Sequence, residues 1–212
     1  MLNVFSNPVF IPLFLVVLSI GFWWILSQAT LSEKKEVLNV FIDKAGYVLL
    51  GAFTINGLAH LNEILELPYR ALILSTEAVS LSFLGVMAYS LLRYFKDERK
   101  DHTLLFILFQ MILFIGIINH SYYYILYNSP LMVGLLLLFV GLLLFSSIVP
   151  LKGNRWMYAS LIGLVLHLMI TKNQAVLYLG FVIPPELVAM AAAEWGIFIV
   201  GLSRRKKQSK QI

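Results

Sequence analysis

Seven apolar stretches follow one another along this 212-residue chain with only short polar turns between them. Apolar runs approaching 20 residues insert into a bilayer as helices, at roughly 20 residues per crossing. The turns carry a second constraint, because basic loops stay on the cytoplasmic face. Threaded back and forth from an outside N-terminus, fourteen of the sixteen lysines and arginines fall on one side. Lys34, Lys35 and Lys44 flank the first inner loop, and Arg93, Lys96, Arg99 and Lys100 the second. Lys152 and Arg155 mark the third, and Arg204, Arg205, Lys206, Lys207 and Lys210 the tail. Only Arg70 and Lys172 fall outside, and a six-helix count would put a basic cluster on the wrong face. The expected fold is all-α: a polytopic integral membrane bundle of seven transmembrane helices, N-terminus outside and C-terminus cytoplasmic. Residues 1–203 form the bundle and 204–212 a basic cytoplasmic tail.

Composition agrees. The chain is 60% hydrophobic and 13% charged, with mean hydropathy +0.85, whereas soluble domains carry about 25% charged residues. This leaves no room for a soluble catalytic or nucleic-acid domain. The basic balance points to anionic lipid headgroups at the cytoplasmic face and not to nucleic acid. With no cysteine, thiolate metal sites and thiol redox chemistry are excluded. Residues 1–7 lack the basic start of a signal peptide, so the first apolar run is expected to be retained. The expected location is the cell membrane, as a multi-pass protein of a prokaryotic plasma membrane.

The expected helices cover residues 8–27, 38–60, 68–92, 103–126, 130–149 and 156–171, with the third starting at Pro68. Trp23 and Trp24 suit interfacial anchors, and Tyr122, Tyr123, Tyr124 and Tyr127 an aromatic belt. The fifth helix has no charge or histidine, so it reads as lipid-exposed or as docking another membrane subunit through Gly134 and Gly141. The last helix starts either at residue 175, kinked by Pro184 and Pro185, or at Pro184, since proline suits a first helical turn. The second reading is preferred, and it leaves AVLYLGFVI along, or dipping into, the outer interface.

Ionisable groups within spans are expensive and are site candidates by default. In the threaded topology His60, His120 and His167 all lie toward the outer ends of their helices. Asn56, His60 and Glu63 share a stripe at i, i+4 and i+7, as do Ser160, Gly163, His167 and Thr171. Glu77 would sit about 13 Å in from Pro68, and Glu186 enters at the start of the last helix. A ligand or cofactor pocket is therefore expected from Asn56, His60, Glu77, His120, His167 and Glu186. Its three imidazoles with a carboxylate suit a transition metal, and two of them could hold a haem. The blander alternative makes each histidine a helix–helix hydrogen-bonding group and His60 with Glu63 simply wet. Glu194, near the bilayer middle, is either a protonated packing residue or a proton carrier.

Three functional classes fit. The first is a membrane subunit or ligand-sensing module of a larger assembly. The second is a small proton-coupled transporter using Glu77, Glu186 and Glu194. The third is an intramembrane metal-dependent enzyme, for which no nucleophile stands out. A retinal protein is excluded by the absence of a lysine within the last helix. The lone His167 near the end of the chain argues against zinc-dependent seven-helix hydrolases.

Overall fold

The computed structural model describes residues 10–67, 74–96, 102–148, 155–172 and 174–208. These form eight helices and one two-stranded hairpin. In chain order the elements are α1 (Phe10–Leu26), α2 (Leu31–Ala59), α3 (Leu61–Glu66), α4 (Thr76–Lys96), α5 (His102–Tyr127), α6 (Pro130–Ile148) and α7 (Arg155–Thr171). The strands β1 (Val176–Tyr178) and β2 (Phe181–Ile183) follow, and then α8 (Pro185–Gln208). Three stretches are long and apolar enough to cross a membrane, namely Leu31–Ala59, Thr103–Tyr127 and Pro130–Ile148; Ile11–Leu26 and Arg155–Thr171 are shorter apolar helices.

Local chemistry explains where helices begin. Thr30 and Glu33 form a capping box: the Thr30 amide donates to Glu33 Oε2 at 2.7 Å, and the Glu33 amide to Thr30 Oγ1 at 3.4 Å. Helix α2 therefore starts at Leu31, and the segment expected as a polar loop supplies its first turns. At 29 residues α2 is about 43 Å long, more than the roughly 30 Å of a hydrocarbon core. Ser75 caps α4 by accepting the Ala78 amide at 3.1 Å. That cap, and the non-helical Leu74 and Ser75, put the start of α4 at Thr76. The expected start at Pro68 lies outside the described residues, as do Arg70, Arg99, Lys100, Lys152 and Lys210.

The chain divides into two compact units: residues 1–37 with 101–200, and residues 38–100 with 201–212. In the first, α5 packs against α1 and α6, and α6 against α7. Leu15, Ser19 and Trp23 make one buried stripe of α1. Trp23 is fully buried, so it is a packing residue and not the interfacial anchor its position suggested. Close approach comes from glycines. Gly163 faces Leu142 so closely that an added Cβ would meet Leu142 Cδ1 at 2.7 Å, and Gly116 lies under the Phe139 ring. Helix α6, expected to be lipid-exposed or to dock another membrane subunit, is held by both neighbours through Phe139 and Leu142 and leaves Leu137, Leu144 and Phe145 exposed. Gly134 meets Ile170 within the unit and Gly141 meets nothing.

In the second unit the Ser82 hydroxyl donates to the Val48 carbonyl at 2.7 Å, across the close approach at Gly51. Asn56, Ala52, Ala78 and Ser82 are buried there. Lys44 Nζ stands 5.8 Å from the ring centres of both Tyr47 and Tyr89.

The segment AVLYLGFVI is neither helix nor irregular. It is an antiparallel hairpin in the register Val176↔Ile183, Leu177↔Val182 and Tyr178↔Phe181. A two-residue turn between right-twisted strands needs positive φ at both central positions, and Leu179 (φ 48°) and Gly180 (φ 81°) supply it. Helix α8 then starts at Pro185, as expected of a proline in the first turn, and runs to Gln208. Residues 204–208, expected as a separate tail, continue that helix.

Candidate functional site

Helix α5 carries Asn119, His120 and Tyr123 where the hairpin meets it. Asn119 and Tyr123 are four residues apart and share a face; His120 lies about 100° further round. The hairpin turn is bonded to that face by its own backbone. The Leu179 amide donates to Asn119 Oδ1 at 2.8 Å, and the Gly180 amide to the Tyr123 hydroxyl at 3.1 Å. Val176 is buried with Tyr123, Met132 and Leu135 in one apolar cluster beneath. Leu179 pays for its left-handed backbone with strain of about 1–2 kcal/mol. The bond to Asn119 holds it there.

His120 is fully buried beside this turn. Tyr178 of β1 lies edge-on to its ring with centres 5.7 Å apart, and Phe139 of α6 lies on another side at 5.2 Å. Phe139 reaches it because Gly116, one turn before His120, has no Cβ. Both ring nitrogens of His120 and the Nδ2 of Asn119 are buried without a hydrogen-bond partner among the described residues. Each such group costs about 1–3 kcal/mol if nothing meets it. His167 of α7 is close enough for a charge on it to act on His120, and its own Nδ1 is likewise buried and unpartnered. Burial pushes the Tyr178 hydroxyl above the ordinary tyrosine value, so it stays neutral in physiological conditions. The arrangement offers neutral donors and acceptors between aromatic walls.

The expected site residues are distributed as follows. His120 and His167 both lie in the first unit, within electrostatic reach of each other. Glu186, in the same unit, is exposed in the first turn of α8. Glu194 is half-buried, with Oε2 buried and unpartnered. Its neighbour Trp195 donates Nε1–H to Ser160 Oγ at 2.6 Å and the Met157 carbonyl at 3.1 Å. That ties Ser160, expected on the His167 stripe, into packing. Asn56, His60 and Glu77 belong to the second unit. Asn56 is buried, but α2 ends at Ala59, and His60 begins the turn into α3. His60 Nδ1 lies 3.5 Å from Glu63 Oε1 with both side chains exposed, 44% and 51%. Glu77 sits in the first turn of α4 and not 13 Å into a span, because the helix starts at Thr76. Among the described residues, no three His, Cys, Asp or Glu side chains are placed to hold one metal ion.

Two participants escaped sequence reading. Asn119 adjoins a flagged histidine and shares a face with a tyrosine, which was the available signal. Tyr178 sits in VLYLGFVI, where strand-forming residues flank a glycine. Comparison of the chain with family models, curated proteins and solved structures finds no match.

Proposed function

We propose that this is a seven-span membrane protein, N-terminus outside and C-terminus cytoplasmic, that binds a ligand or cofactor under the hairpin as a membrane subunit or sensor-like module of a larger assembly. The observation that carries the reading is His120: fully buried, flanked by Phe139 and Tyr178, with neither ring nitrogen bonded to any described residue. The large majority of buried side-chain polar atoms have a partner, and His120 leaves both of its ring nitrogens without one among the described residues. In the proposed orientation the site lies in the outer half, and the basic turns face anionic lipid at the cytoplasmic side. Among the described residues, seven helices of at least 17 residues support the span count.

Because the chain has no cysteine, single cysteines report topology without background. Ser129→Cys should react with an impermeant maleimide added outside intact cells, and Ser209→Cys only after permeabilisation. The reverse pattern rules out the orientation. Ligand binding is tested by the heat stability of the purified protein with haemin, zinc or a short-chain quinone. At least one should stabilise the wild type and fail to stabilise His120→Phe; equal effects on both would remove the site.

A second reading, a proton-coupled carrier, draws support from the buried, unpartnered Oε2 of Glu194. It requires proton-gradient-driven uptake into proteoliposomes that Glu194→Gln abolishes.

A further inference from the structure

We infer that the site under the hairpin takes an uncharged ring compound bearing carbonyl groups, of the quinone class, and not a metal ion or a haem. This rests on the reading of the first unit as a ligand-binding module and narrows what that module binds.

The unpartnered atoms set the chemistry. Asn119 Oδ1 already accepts the Leu179 amide, which fixes the orientation of the side chain and leaves the two N–H bonds of Nδ2 free. A neutral imidazole adds one donor and one acceptor. The free groups at Asn119 and His120 are therefore mainly donors, and a ring carbonyl is the complementary acceptor. The acceptor nitrogen of His120 suits the hydroxyl that replaces that carbonyl in the reduced ring. Phe139, Tyr178 and Leu179, which meet these two residues from α6 and the hairpin, bring no charge, and His167 of α7, within electrostatic reach of His120, brings no fixed one. A charged ligand would thus be buried without a counter-charge, at a high desolvation cost.

A metal would need a third ligand, which no described residue supplies beside this pair. A haem would need α5 and α6 to part where Phe139 sits against Gly116. A single flat ring asks for far less, since aromatic walls already flank the imidazole. Entry need only displace the hairpin tip. The tip is a strained turn tied to α5 by two side-chain bonds, and a bound carbonyl would draw on the same Asn119 amide that anchors it.

The test uses the full chain in lipid nanodiscs, with a two-isoprene ubiquinone analogue as probe and empty nanodiscs as the baseline for partition. Saturable binding above that baseline is expected. Asn119→Asp keeps the acceptor for Leu179 but leaves at most one O–H donor, on a protonated carboxyl, in place of two N–H donors. It should weaken binding about tenfold, the loss expected for one hydrogen bond in a buried site. His120→Phe should weaken it at least as much, His120→Gln less, and Glu194→Gln not at all. Independently of any variant, hydrogen exchange at Leu179 and Gly180 should slow when the probe is added. Binding that neither Asn119→Asp nor His120→Phe changes, or no saturable binding of the probe, overturns the inference. If haemin or zinc then binds through His120, the module reading stands and only the ligand class is wrong. If no probe of the three binds, both fall.

Discussion

The two units treat polar groups in opposite ways. In the first, His120, Asn119 and His167 hold buried polar atoms with no partner among the described residues. In the second, His60 and Glu63 pair in solvent, and the buried Ser82 hydroxyl is bonded to Val48. Pairing a polar group where it is buried, or leaving it exposed, keeps desolvation cheap, and the second unit does both. The first departs from that rule most densely under the hairpin, where Asn119 Nδ2 and both His120 nitrogens are neighbours. Trp23 Nε1, Trp156 Nε1 and Glu194 Oε2 are also buried without a partner among the described residues. Departures of this kind concentrate at functional sites, because stability there is traded for a group that something else must meet.

The largest test of the comparison concerns the packing that creates the site. Gly116→Ala puts a methyl into the Phe139 ring and should cost about 1–3 kcal/mol, whereas Gly141→Ala, with nothing within 4 Å, should gain up to about 1 kcal/mol from helix propensity. Thermal unfolding in detergent reads both, and equal effects would dissolve the idea of a tightly gripped α6.

Next comes the contrast between histidines. Without ligand, His120→Phe should stabilise the protein by about 1–2 kcal/mol by removing buried unpartnered nitrogens, while His60→Phe should stay within about 0.5 kcal/mol. If His120→Phe is clearly destabilising without any ligand, the nitrogens have partners and the contrast between the units closes. Leu179→Gly should then stabilise the hairpin by about 1 kcal/mol, by releasing the left-handed strain; slower hydrogen exchange over residues 176–183 checks it.

The smallest effect is at high pH. The folded state raises the Tyr178 hydroxyl above its ordinary value of about 10. Its contribution is therefore complete below that value and is lost as pH climbs through the raised one. Phenolate absorbance should show a late-titrating tyrosine that is missing in Tyr178→Phe.

Much of the helical layout was legible because apolar length alone dictates it. The expected spans at 103–126, 130–149 and 156–171 differ from α5, α6 and α7 by no more than a residue at either end. Starts set by polar caps were harder. The Thr30–Glu33 box pulls α2 to Leu31, and Ser75 delays α4 to Thr76, because a cap is a local bond that hydropathy does not register. The site was legible in part. His120 and His167 stood out as costly residues in spans, but the same argument flagged His60, which is solvated.

What the sequence determined by itself is a chain of apolar helices joined by short polar turns, since both follow from residue type and spacing alone. Only the tertiary structure decided which polar residues meet. Leu179 adopts its turn against Asn119, 60 residues earlier, and Phe139 reaches His120 because Gly116 leaves room. These contacts depend on how α5, α6 and the hairpin pack in space, and spacing along the chain does not encode that.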